Sequence, residues 1–111
     1  MIEFGIDTTS EGIGVVTPRG RLNMVSARRL KDLLAELVDG GTTRIVVDMG
    51  ETTFLDSSGL GALIAGLKSA RQAGGDLRIA RPTPAVHSVF EMTNLDRVLR
   101  ARDTVEGAFD A

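Results

Sequence analysis

Arg44-Ile45-Val46-Val47-Asp48-Met49 is a short apolar run rich in β-branched residues. That is the composition of a strand covered on at least one face in a parallel or mixed sheet, and it is predicted as the central strand. Just downstream, Leu60, Leu63, Ile64, Leu67 and Ala70 fall three and four apart, which puts them on one face of a helix. Gly74-Gly75 ends the pattern, since glycine readily takes the left-handed conformation found beyond a helix C-terminus.

Working outward, the same alternation of periods continues on both sides. Upstream, Ile2, Phe4 and Ile6 alternate, Thr9-Ser10-Glu11-Gly12 supplies turn chemistry, and Ile13 to Thr17 resumes a strand-like run, together a hairpin. Pro18-Arg19-Gly20 breaks that run, after which Leu30, Leu33, Leu34 and Leu37 mark a helix ending near Gly40-Gly41, with Asn23 as its cap. Downstream, Leu77 and Ile79 alternate as a strand. Thr83-Pro84 forms a cap and first helical position for a helix carrying Val86, Val89 and Phe90 and ending near Asn94. A short strand near Val98-Leu99 and a helical turn after Thr104 complete the expectation.

Strands alternating with helices of this length require crossover connections, nearly always right-handed, because parallel neighbours cannot be joined by a tight turn. The fold class is therefore α/β: a small open mixed sheet with an antiparallel opening hairpin, then parallel crossover strands, and about four helices packed against it. The 111 residues fit one domain over 1–111, with no repeat, low-complexity block or Pro-rich linker to divide them.

Composition narrows the function classes. With 42% hydrophobic and 25% charged residues and a net charge of -2, the chain is too apolar for disorder and too evenly charged for a nucleic-acid binder. Stacking platforms for bases are scarce, with no Trp, no Tyr and only four Phe; Phe4, Phe54, Phe90 and Phe109 sit among apolar neighbours and read as core. The absence of cysteine removes disulfides, thiol catalysis and thiolate metal sites. The acidic start Met1-Ile2-Glu3-Phe4-Gly5-Ile6-Asp7 does not read as a signal peptide. The run from Gly59 to Leu67 falls far short of the roughly 20 residues that cross a bilayer, so no membrane association and a cytoplasmic location are expected.

One segment departs from ordinary core patterning: Phe54-Leu55-Asp56-Ser57-Ser58-Gly59-Leu60-Gly61, between the central strand and the second helix. Asp and Ser side chains accept bonds from the first N–H groups of a helix, and glycines at 59 and 61 leave the turn uncovered, so an anion or a phosphoryl group could sit there. The plainer alternative is a structural one, in which Asp56 or Ser57 merely caps the helix and the glycines allow it to pack closely on the sheet.

The chain resembles the STAS family, named for sulfate transporters and anti-sigma factor antagonists. The resemblance is carried by Val47-Asp48-Met49-Gly50, Thr53 to Gly61, Gly74-Gly75 and Arg81-Pro82, with Gly20-Arg21-Leu22 before the first helix and Ala85-Val86 to Leu95 near the end. It implies a bacterial anti-anti-sigma factor without a cofactor. The unmodified domain would bind an anti-sigma factor, itself a serine kinase with a histidine-kinase-like ATPase fold, and so free a sigma factor. Phosphorylation of the serine before the motif glycine, Ser58 here, would end the binding, and a metal-dependent serine phosphatase would reset it. Asn23, Asp56, Ser57, Ser58, Gly59, Leu60 and Gly61 would form the partner-binding surface. Asn23 stands where many family members carry Asp; it caps a helix equally well but brings no negative charge. The resemblance also admits a small nucleotide- or anion-binding module, or a subunit of a larger signalling assembly.

Other chemistry is poorly supported. The serines lack the Gly-x-Ser-x-Gly elbow of a hydrolase, and the only histidine, His87, falls within the helical run Pro84 to Thr93, where a half-exposed position is expected. No His-Asp-Glu spacing suits zinc and no phosphate-binding loop of the Gly-x-x-x-x-Gly-Lys type occurs. Arg28-Arg29, Arg97, Arg100 and Arg102 are interleaved with Asp32, Asp96 and Asp103, the pattern of a solvated face and not of a direct nucleic-acid contact.

Overall fold

The computed structural model describes residues 2–99 and 101–109. The opening hairpin forms as expected: β1 (Glu3–Thr8) pairs antiparallel with β2 (Gly14–Leu22), Glu3 opposite Arg19 and Thr8 opposite Gly14. Thr9 closes the turn, its N–H donating to the Ile13 carbonyl at 2.8 Å and its hydroxyl accepting from the Ile13 N–H at 3.1 Å.

The remaining elements are α1 (Met24–Asp39), β3 (Arg44–Asp48), β4 (Thr52–Leu55), α2 (Ser57–Gln72), β5 (Asp76–Ala80), α3 (Pro84–Met92) and α4 (Asp96–Leu99). The five strands run in the order β1-β2-β3-β5, with β4 paired to β2, and every pairing after the hairpin is parallel. β3 is central, as its composition requires. Ile45 and Val47 face the main core beneath α1 and α2, while Val46 points to the other face and joins Ala80 and Ala108, with Ile13, Val105 and Phe109 packed alongside.

Three expectations are corrected. Pro18 does not end β2, which continues to Leu22. β2 pairs with β3 only through Gly14 to Val16 and with β4 only from Gly20 on, so the missing N–H of Pro18 weakens neither ladder. Its carbonyl accepts from the buried Thr52 hydroxyl at 3.0 Å. Thr52–Leu55, anticipated only as part of a motif, is thereby a strand in its own right.

Val98-Leu99 belongs to α4 rather than to a strand, because Leu95 and Leu99 lie one turn apart and both meet the core. Extended pairing comes three residues later, where Arg102 bridges β5: Arg81 N–H donates to the Arg102 carbonyl at 2.7 Å, and Arg102 N–H to Ile79 at 3.0 Å. After Thr104, where a helical turn was expected, the chain makes a hydrogen-bonded turn, Gly107 N–H donating to the Thr104 hydroxyl at 3.0 Å and Ala108 N–H to the Val105 carbonyl at 3.2 Å.

The phenylalanines are also less uniform than expected. Phe90 is fully buried, but Phe4, Phe54 and Phe109 are half-buried and roofed by the guanidinium groups of Arg29, Arg21 and Arg78, at 5.2, 4.2 and 4.5 Å from the ring centres. Arginine stems and planes cover the aromatic surface that the core leaves open.

Candidate functional site

The site lies where two strand-to-helix turns run side by side. β2 and β4 are parallel with Leu22 opposite Leu55, so the residues after them, Asn23 and Asp56, occupy equivalent places and cap α1 and α2. Their backbones are nearly superimposable, with φ -109° and ψ -171° at Asn23 and φ -108° and ψ -174° at Asp56. The Asp56 N–H donates to the Leu22 carbonyl at 3.2 Å, tying the turns together.

Each cap works with its own side chain. Asn23 Oδ1 accepts from the Val25 and Ser26 N–H groups at 3.1 and 3.2 Å, while Ser26 Oγ accepts from the Asn23 N–H at 3.0 Å and donates to the Arg21 carbonyl at 2.7 Å. This is a reciprocal capping box with serine at its third position. Asp56 Oδ1 accepts from the Gly59 N–H at 3.0 Å, where the positive end of α2 also favours its charge. The structural reading of Asp56 as a cap is therefore correct.

The two glycines of the motif do different things. A methyl group on Gly59 would lie 2.6 Å from Leu55 Cδ1 and 2.8 Å from the Leu22 carbonyl oxygen, so this residue is what lets α2 seat on the sheet. Gly59 is buried and does not expose the turn, contrary to the expectation of an uncovered surface there. At Gly61 the same methyl would meet nothing within 4 Å, and that residue does leave open surface. Leu60 is half-buried and packs on the core, Ser57 is exposed, and Ser58 is half-buried.

Ser58, Gly61 and Ala62 of α2 face Ala27, Arg28 and Lys31 of α1 across a shallow groove of about 320 Å³. Ser58 is therefore reachable from outside while its neighbour Gly59 is fixed inside. A second depression of about 540 Å³ lies on the other side of the Asn23 turn, lined by residues that include Ile2, Arg21, Val25 and Arg29. Met24 and Val25, the first residues of α1, are 75% and 78% exposed and give this end of the molecule an apolar rim. Sequence reading passed over them, although their phase against Leu30, Leu33 and Leu34 already placed them off the buried face.

The Arg28-Arg29 pair, expected to be a uniformly solvated face, divides. Arg29 turns to β1, over Phe4 and within 3.4 Å of the Ile2 carbonyl, whereas Arg28 turns to the Ser58 groove. His87 is half-exposed as expected and pairs with Glu91 one turn on at 2.9 Å, not with Ser58. Among the described residues no group of three His, Cys, Asp or Glu could hold a metal ion, and no helix is long and apolar enough to cross a membrane.

Away from the site, Asp76 ties the start of β5 to the end of α2 through Arg71 at 3.0 Å and to Arg78 at 3.2 Å. Burial pushes its pKa up, but the hydrogen bonds from Arg71, the Leu77 N–H and Arg78 outweigh that and hold it below the ordinary 3.8. Arg81, held in a left-handed conformation with φ 52°, donates to Asp48 at 2.9 Å. That bond, with the Asp48 charge, raises its already high pKa.

A mixed five-stranded sheet with helices packed against it is the fold of a STAS domain, and residues 7–108 match that family, to which the chain belongs. Relatives include BtrV of Bordetella bronchiseptica, 30% identical over 102 residues that span 89% of this chain and 88% of BtrV. An anti-sigma-B factor antagonist of Staphylococcus aureus is 26% identical over 99 residues, covering 89% of this chain and 92% of the relative. The fold is also that of the Bacillus cell fate determinant SpoIIAA. Its unphosphorylated form gives a TM-score of 0.83 at 22% identity, over 97% of this chain and 94% of SpoIIAA. Its phosphorylated form gives 0.77 at 21%, over 97% of each.

Proposed function

We propose that this chain, as a single STAS domain, is an anti-sigma factor antagonist switched by phosphorylation of Ser58. In the unmodified state the surface formed by Asn23, Asp56, Ser57, Ser58, Leu60 and Gly61, with the exposed Met24 and Val25, docks an anti-sigma serine kinase of histidine-kinase-like fold and so releases a sigma factor. The kinase phosphorylates Ser58, the complex separates, and a metal-dependent serine phosphatase restores the free hydroxyl. The chain itself performs no catalytic step.

The observation that carries this reading is the division of labour between neighbours: Ser58 lines an open groove, while Gly59 is locked against Leu22 and Leu55. A phosphoryl group on Ser58 adds about -1.5 to -2 charge at the positive end of α2, where the fold tolerates it. In an interface shaped for a neutral hydroxyl beside Asp56, the same group suffers desolvation and repulsion. Burying a mismatched charge typically costs about 2 to 5 kcal/mol, or roughly 30-fold to several thousand-fold in affinity. Support also comes from the S. aureus relative, an antagonist of an anti-sigma factor, and from SpoIIAA, a protein with both unphosphorylated and phosphorylated forms.

The test is binding to the anti-sigma kinase of the same genome by calorimetry. Ser58→Asp should keep the wild-type circular dichroism and melting temperature and lose the partner, whereas Ser58→Ala should bind and resist modification. Undiminished binding by stoichiometrically phosphorylated protein would reject the mechanism.

A further inference from the structure

Arg28 and Lys31 lie three residues apart on the exposed flank of α1 beside α2, and together they form the cationic wall of the groove that holds Ser58. Neither has an ion-pair partner among the described residues, whereas Arg19, Arg71, Arg78 and Arg81 each pair with a carboxylate. The floor between them is Ala27, Ala62 and Gly61, and the direction in which a Gly61 side chain would point is empty. The result is two free cations and a hydroxyl around a small, open, unobstructed space. The carboxylate at this end of α2, Asp56, is occupied with the Gly59 N–H.

We propose that Arg28 and Lys31 form an intramolecular receptor for the phosphoryl group carried by Ser58. The proposal rests on the reading of Ser58 as the modified residue and adds what the modified state looks like: a phosphoserine held across the groove between α1 and α2 by its own chain. A guanidinium and an ammonium can both donate charge-assisted hydrogen bonds to phosphate oxygens, and the added charge of about -1.5 to -2 nearly cancels the two cations. Modification then changes the surface twice over. It places a phosphate where a hydroxyl was, and it withdraws Arg28 and Lys31 from any acidic surface that approaches this end of the molecule.

The test uses protein with phosphoserine installed at position 58 during translation, so that no kinase or partner is involved. Phosphorus NMR follows the second ionisation of the phosphate, which is near pH 6 for a free phosphoserine. With Arg28 and Lys31 in place, that ionisation should fall by about one pH unit, as expected for an anion beside two cations. In the Arg28→Gln/Lys31→Gln double variant it should rise again by about that unit. Lys68→Gln, which removes one positive charge from the exposed far part of α2, should leave it where the wild type has it. Asp56 pushes the value upward equally in all of these proteins and cancels from the comparison.

Three results would overturn the receptor: an unperturbed phosphate in the wild type, a lowered value that persists in the double variant because α2 alone holds the group, or an equal change with Lys68→Gln. Circular dichroism of the double variant confirms that the exposed substitutions leave the fold intact. Because the phosphate is supplied directly, failure here leaves phosphorylation of Ser58 standing, and that reading falls only by the kinase-binding experiment.

Discussion

Replacing Gly59 with alanine separates the packing of the site from its chemistry. The added methyl would sit 2.6 Å from Leu55 Cδ1, 2.8 Å from the Leu22 carbonyl oxygen and 3.0 Å from Leu22 Cβ. The end of Leu55 can swing, but the Leu22 carbonyl is backbone and accepts the Asp56 N–H bond that joins the two turns. Overpacking of this kind costs about 1 to 3 kcal/mol, and the better helix propensity of alanine returns at most about 1. Because one of the atoms met is backbone, the upper part of that range applies, about 2 to 3 kcal/mol, and the net loss is about 1 to 2 kcal/mol. Gly61→Ala is the matched control, two residues on in the same helix with nothing within 4 Å, and it should gain about 0.5 to 1 kcal/mol. In urea unfolding followed by circular dichroism, with a slope near 1.5 kcal/mol/M, the midpoint should fall by about 1 M for Gly59→Ala and rise by about 0.5 M for Gly61→Ala. A Gly59→Ala protein as stable as the wild type would refute the claim that this glycine seats α2 on the sheet.

Two further outcomes follow from other contacts. Asn23→Ala removes the acceptor for the Val25 and Ser26 N–H groups and should cost about 1 kcal/mol in the same assay, while Asn23→Asp should be neutral or slightly stabilising; an alanine variant with an unchanged midpoint would show that the cap adds nothing. Asp76→Asn should cost about 1 to 2 kcal/mol at neutral pH, mostly through Arg78, since Arg71 is half-exposed. Because the folded-state pKa of Asp76 lies below its ordinary 3.8, the wild-type advantage should be complete above that value and disappear as the pH falls through the depressed one. An advantage that persists unchanged in stronger acid would assign it to shape instead of charge.

Much of the fold was legible because its elements are long enough to show a period. The buried runs on α1 and α2, the β-branched strand around Val46 and the Thr83-Pro84 start of α3 each repeat a signal several times. β4 was not legible as a strand, since the four residues Thr52–Leu55 contain too few repeats to distinguish it from loop, and their pairing partner lies beyond a proline that locally reads as a stop. Val98-Leu99 misled for the related reason that two β-branched or apolar neighbours suit either a strand or a single helical turn, and contact with the core decided between them.

The amino-acid sequence by itself determined the alternation of strands and helices, the caps at Asn23 and Thr83, a cap at Asp56 or Ser57, and the place of Ser58 near a helix start, because all of these depend on residues within one or two turns of each other. Only the tertiary structure decided that Leu22 and Leu55 lie opposite one another, that Gly59 faces inward while Gly61 faces out, and that Arg28 rather than Arg29 looks across at Ser58. Those are relations between segments some thirty residues apart, fixed by strand register and by how closely two helices can approach, and no local pattern encodes either.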